Sequence, residues 1–239
     1  MKIIRKTYKI LICGVIIISV FSVTVFAKYF TSLDQKINKF GVGSIDAKIA
    51  EKFETPDSFN GEKINKNVKV ENTGKNDELV RVSIIPRWVD ENGNPWPGNT
   101  NLLTLNLENT INLSDLNNNN NLWIYGNDGY YYYSSKLPHA TDKEISKEIS
   151  EKITPEERYN DSLLKNSDGT LKDNYTKEFL SSVKLNTEKM SNEELARYKD
   201  KKLIIDVKVE AIEPRKEVID ENWNGIDSKL KYYLMGICN

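Results

Sequence analysis

Apolar and polar residues alternate with period two along several segments of this chain, the mark of strands buried on one face. The clearest is 203–212, where Leu203, Ile205, Val207, Val209 and Ala211 share one face and Asp206, Lys208 and Glu210 the other. Val68 and Val70, then Val80, Val82 and Ile84, give two more strands around the turn residues Asn72, Thr73 and Gly74. Segments 41–53, 102–107, 122–125, 130–137 and 180–185 add further strands, separated by clusters of Asn, Gly and Pro. Seven or more short strands with irregular spacing predict an all-β fold built as a β-sandwich.

Two stretches break the alternation. Residues 141–177 are highly charged, with Ile145, Ile149 and Ile153 recurring every four positions, which predicts a charged, partly helical insertion on the sandwich. Residues 191–200 predict a short helix, because Ser191 and Glu194 form a capping box that satisfies free amides at the helix start from both directions. The run of asparagines at 117–121 reads as a loop.

The N-terminus changes the picture. Lys2, Arg5, Lys6 and Lys9 precede an uncharged run over 10–27 that closes on Val25-Phe26-Ala27, and Lys28 then restores charge. This is the layout of an export signal at 1–27, with Val25 and Ala27 at the positions a signal peptidase inspects and Lys28 as the first mature residue. An uncleaved anchor is the alternative, since eighteen uncharged residues sit at the lower edge of what spans a hydrocarbon core of roughly 30 Å. Cys13 lies inside the apolar run behind the bulky Ile12, which is the wrong place for lipidation.

Cleavage removes four basic residues and no acidic ones, taking the formal charge from −1 to −5, with 30 Lys and Arg against 35 Asp and Glu. Interspersed signs and a slight acidic surplus exclude the basic footprint of a nucleic-acid binder. The expected location is extracellular, with membrane contact only before cleavage. Cys238 is the one cysteine left in the mature chain, so no intrachain disulfide and no cysteine-based zinc site is expected, and stability rests on a packed core.

Candidate chemistry is sparse. The only histidine is His139, after Pro138 in a turn, and a zinc hydrolase normally supplies histidines in pairs such as H-E-x-x-H. A Ser-His-Asp arrangement would lack the G-x-S-x-G elbow. Most carboxylates alternate with lysines, as at 148–152, in the manner of a solvated helix face. Asn166-Ser167-Asp168-Gly169 lacks the ligand ladder of a calcium loop and reads as an Asp-Gly turn. The expectation is a non-enzyme with no catalytic residue, metal or cofactor. The block of tyrosines at 130–133 follows the turn residues Asn127, Asp128 and Gly129. Alternation sends two of the four inward and two outward, either pairing across neighbouring strands or forming a sticky strip for a partner; the former is preferred, since aromatics are enriched in strands.

In order along the chain stand Phe26-Ala27-Lys28-Tyr29-Phe30-Thr31, Gly43-Ser44-Ile45-Asp46-Ala47, Val68-Lys69-Val70-Glu71-Asn72-Thr73-Gly74, Asp128-Gly129 with the four tyrosines, and Val207-Lys208-Val209-Glu210-Ala211-Ile212 followed by Trp223. Together these resemble the TasA/camelysin family of SipW-dependent biofilm matrix proteins, in particular its BsaA-type members. The resemblance covers most of the chain outside 141–177 and the residues after Trp223. It implies a jelly-roll sandwich, removal of the signal by a dedicated signal peptidase, and polymerisation with itself and with related matrix subunits into extracellular fibres. Some relatives carry the label of a casein-cleaving metallo-endopeptidase, which the single His139 argues against; a monomeric cell-surface binding module is the other alternative.

A sandwich missing a strand exposes unpaired amides and carbonyls that another chain's extended segment can complete. Residues 28–40 are the candidate donor strand, anchored by Tyr29, Phe30 and Leu33, unless they form the first strand of their own sheet. The expected organisation is thus a signal peptide at 1–27, an extended segment at 28–40, a sandwich at 41–223 with the insertion 141–177, and a tail at 224–239.

Overall fold

The computed structural model describes residues 45–53, 61–116, 121–140 and 150–238. Among these, ten strands form two sheets. One is four-stranded, with the spatial order β1 (Ala47–Phe53), β2 (Lys63–Asn72), β9 (Leu180–Leu185), β5 (Leu103–Leu107). The other is six-stranded: β10 (Lys202–Ile212), β3 (Leu79–Val89), β8 (Tyr131–Tyr133), β7 (Trp123–Tyr125) and β6 (Thr110–Ile111), with β4 (Pro95–Trp96) on β3. Each strand expected from alternation has its counterpart, and the chain is mainly β with two sheets.

The central strands serve two cores at once, because successive side chains leave a strand on opposite faces. Val80 and Val82 of β3, Trp123 of β7, Tyr133 of β8 and Val209 and Ala211 of β10 point between the sheets, where they meet Ile49, Val68, Val70, Phe179 and Leu180. Their neighbours Leu79, Ile124, Tyr132 and Ile212 point the other way, into a second core. Helices α4 (Lys216–Asn222) and α5 (Ser228–Gly236) complete that second core with Ile219, Trp223, Leu230 and Leu234. The segment after Trp223 is thus a capped helix docked on the sheet: Asp227 accepts hydrogen bonds from the Lys229 and Leu230 amides, and Lys231 pairs with Asp220 of α4.

The insertion covers the outer face of the four-stranded sheet. Described from Ser150, it holds α1 (Pro155–Arg158) and α2 (Asp161–Leu164); Ile145 and Ile149 lie outside the described residues. α1 packs on β1, and Leu164 and Tyr175 bury Ala50. The Arg158 guanidinium, 2 % exposed, donates to Glu71 Oε2 at 2.5 Å and to the Ser150 carbonyl. Tyr175 also hydrogen-bonds Glu71. Breaking such a pair from one side leaves a buried charge uncompensated, which costs about 3–5 kcal/mol. Far from being only a solvated charged face, the insertion is pinned to β2.

The foreseen helix at 191–200 is α3 (Asn192–Tyr198), with both capping-box hydrogen bonds of Ser191 and Glu194 in place. Its Tyr198 closes one end of the sandwich against Trp88, the ring centroids 4.8 Å apart.

The second core makes a sharp prediction. Leu230→Ala should lower unfolding free energy by about 2–5 kcal/mol, because Leu230 is fully buried. On the same helix Tyr232 is 83 % exposed, so Tyr232→Ala should stay within about 0.5 kcal/mol. Urea unfolding of the two variants checks the contrast; equal effects would mean α5 does not dock.

Candidate functional site

The functional question is which edges of the sheets can accept another strand. Among the described residues β10 has one side without a strand partner, but Asp206, Lys208 and Glu210 load it with charge, and Arg87 and Arg81 hold Asp206 and Glu210 in ion pairs. Charge on an edge strand discourages pairing. β1 carries α1, and β6 is two residues long.

β3 is different. On one side β10 pairs it from Leu79 to Val89. On the other, β8 pairs only Arg81 and Val82, and β4 only Trp88 and Val89. Residues 83–87 have no strand partner on that side among the described residues. At about 3.3 Å per residue the unpaired stretch is roughly 16 Å long.

Local sequence makes the opening. β8 cannot extend toward β4 because the chain turns back at 126–130: the Gly126 amide donates to the Tyr130 carbonyl, and Asn127 and Gly129 hold positive φ of 60° and 88°. That is the tight turn expected from Asn127, Asp128 and Gly129. β4 ends at Trp96 because Pro97 and Gly98 carry the chain across to β5 in the other sheet. A Cβ on Gly98 would come within 2.4 Å of the Trp88 ring, so only glycine fits that crossing. Pro86 falls within the unpaired stretch, where a missing N–H costs no ladder hydrogen bond.

Behind the opening the main core is incompletely covered. Ile84, Tyr131, Leu105 and Leu107 pack against it yet stay half-buried. Tyr131 leans on Phe179, centroids 5.1 Å apart, and on Tyr125, centroids 5.0 Å apart. Burial, and then Tyr125, raise the Tyr131 phenol above its ordinary pKa, so the floor is neutral and apolar. On the outer face Ile85 is 43 % exposed.

The tyrosine block is structural, as preferred. Tyr132 donates to Asp128 Oδ2 and accepts from Arg81, and Tyr130 donates to Glu210 Oε1. Arg81 lies over the Tyr130 ring, 3.9 Å from its centroid. None of the four forms an exposed strip.

Where β1 begins, a buried carboxyl holds the chain. Glu78 Oε1 accepts the Asp46 amide at 2.6 Å, while the Asp46 carbonyl accepts from the Thr73 amide. Burial, reinforced by the Asp46 charge, pushes the Glu78 pKa up to about 8. The residues just before β1 are therefore clamped by an acid that is protonated at neutral pH.

Val25, Ala27, Lys28, Tyr29, Phe30 and Leu33 lie outside the described residues. His139 stands in an exposed irregular stretch rather than a turn, with Nδ1 3.1 Å from Asp77 Oδ1. Asp168 forms the expected turn, accepting from the Thr170 amide beside Gly169 at φ +83°. Among the described residues no three His, Cys, Asp or Glu side chains come together as a metal site requires. The opening in β3 was not foreseen; Pro86 inside an otherwise regular strand is the one signal that could have found it.

Glu78 ties stability to pH. Its folded pKa lies above the unfolded value, so the native state binds the extra proton and its contribution, full below about 4.5, is lost as pH rises through about 8. The thermal midpoint should fall between pH 5 and 9, and Glu78→Gln, which keeps the acceptor for the Asp46 amide, should flatten that fall. An unchanged slope in the variant would remove Glu78 as its cause.

Comparison with family models, with curated proteins and with solved structures found no match to this chain.

Proposed function

We propose that the chain is a secreted structural subunit of extracellular biofilm-matrix or pilus-like fibres, assembling by strand complementation after its signal peptide is removed. The observation that carries this reading is the unpaired stretch of β3 over a half-covered apolar floor. A five-residue strand from a neighbour, Tyr29 to Leu33, matches the five open positions 83–87. Tyr29 and Leu33 would lie on Ile84, Leu105 and Tyr131, and Phe30 beside Ile85. Each such side chain, fully buried, contributes roughly 1.5–3 kcal/mol, and backbone pairing sets the register. Removal of 1–27 acts as the switch, because a donor still tethered to the membrane cannot thread into a neighbour.

A jelly-roll arrangement belongs to the same reading. It is supported by the repeated passage of the chain between sheets, from β2 to β3, β4 to β5, β5 to β6, β8 to β9 and β9 to β10. The part is structural rather than catalytic, and the partners are further copies and related matrix subunits, with a dedicated signal peptidase acting before assembly. Its place is outside the cell.

Three experiments test this. The secreted protein should start at or within a few residues of Lys28 by N-terminal sequencing; membrane-bound protein retaining Met1 would overturn the switch. Purified mature protein should form filaments in electron micrographs, and removing 28–34 should leave a folded monomer that forms none. Ile84→Asp chains keep the donor but place a charge on the acceptor floor, so a small fraction added to wild-type protein should cap and shorten filaments. Filaments of normal morphology from the truncated chain would sink strand complementation.

A further inference from the structure

A second concave surface lies away from the β3 opening, where the end of the insertion meets the chain after β8. It is a cavity of about 130 Å³ lined by Lys136, Lys172 and Lys177 together with the buried Tyr133, Leu137 and Tyr175. Pockets that hold whole organic ligands run to roughly 300–1,000 Å³, so this one suits a single chemical group.

Its electrostatics are unlike the rest of the molecule. The mature chain carries a net −5, and several buried basic residues elsewhere are held in ion pairs, among them Lys66 with Glu51, Lys69 with Glu178 and Arg158 with Glu71. Lys136, Lys172 and Lys177 pair with no carboxylate among the described residues, and the one acid lining the cavity is the exposed Asp173. Three ammonium groups against one carboxylate in a recess focus a positive field in a protein that is otherwise negative.

Tyr133 adds a directed donor. The Tyr133 hydroxyl accepts a hydrogen bond from the Lys177 amide, and its own proton has no acceptor among the described residues. Tyr133 is 3 % exposed, and burial pushes its pKa up to about 12, so the proton stays in place at neutral pH. A buried hydroxyl proton needs an acceptor, and an oxyanion supplies one.

We propose that this cavity binds one oxyanion group, a phosphate or a carboxylate, with Lys136, Lys172 and Lys177 supplying charge and Tyr133 a hydrogen bond. The site is independent of fibre assembly, since none of these residues borders residues 83–87 on β3.

Titration of the folded mature chain with inorganic phosphate, and separately with glucuronate, tests it by amide chemical shifts at constant ionic strength. Saturable shifts at Lys136, Lys172 and Lys177 with a millimolar dissociation constant are expected for at least one probe, and the probe that saturates identifies the group. Lys136→Glu with Lys172→Glu should weaken binding at least tenfold, Lys172→Ala less, and Tyr133→Phe severalfold with the lysines intact. A matched charge change on β10, Lys202→Glu with Lys208→Glu, should leave binding unaltered. Shifts that never saturate with either probe, or that fall equally in the β10 variant, would overturn the proposal and leave three solvated lysines.

Discussion

Every structural role in the six-stranded sheet descends from one constraint: the first part of β3, Leu79–Val82, is packed on both faces, so none of its positions is free to be merely polar surface where the two cores overlap. Val80 and Val82 belong to the space between the sheets, while Leu79 and Arg81 belong to the space under α4 and α5. Arg81 is tolerated there because its guanidinium is stacked by Tyr130 and Trp223 and held by Glu210, which compensates its removal from water. A change of one residue in register along β3 would exchange the two sets and put Arg81 into the aliphatic core.

The same constraint explains why the tyrosine block is intolerant of a looser role. β8 is three residues long and must supply large side chains to both cores. Tyrosine meets this demand because its ring fills space while its hydroxyl reaches a partner at the rim, as Tyr132 does with Asp128 and Tyr130 with Glu210. The edge left open beyond β8 follows from that shortness.

What was legible in the sequence was whatever depends on short range. The strands showed through period two, the α3 cap through Ser191 and Glu194, and the turns through Asn-Asp-Gly and Asp-Gly. Features made by distant residues were silent. Glu71 and Arg158 are 87 positions apart, and neither carries a local sign that the other will neutralise it. The α5 helix was missed because Leu230 and Leu234 are embedded among Lys229, Lys231, Tyr232 and Tyr233, which blur its apolar stripe. The opening on β3 depends on where two other strands stop, so only Pro86 left a trace of it.

The pairing of β3 with β10 has a consequence for how the protein is made. Leu79 lies opposite Ile212, and Val89 opposite Lys202, so the longest strand pair in the molecule joins segments separated by more than a hundred residues. The second core then waits for Leu230 and Leu234, almost at the end of the described chain. Contacts of such range form slowly, because loop closure must precede any gain from pairing. Neither face of the six-stranded sheet can close until residues 202–234 have been made, so β3 and β8 wait through most of the synthesis of the described residues for the partners that bury them.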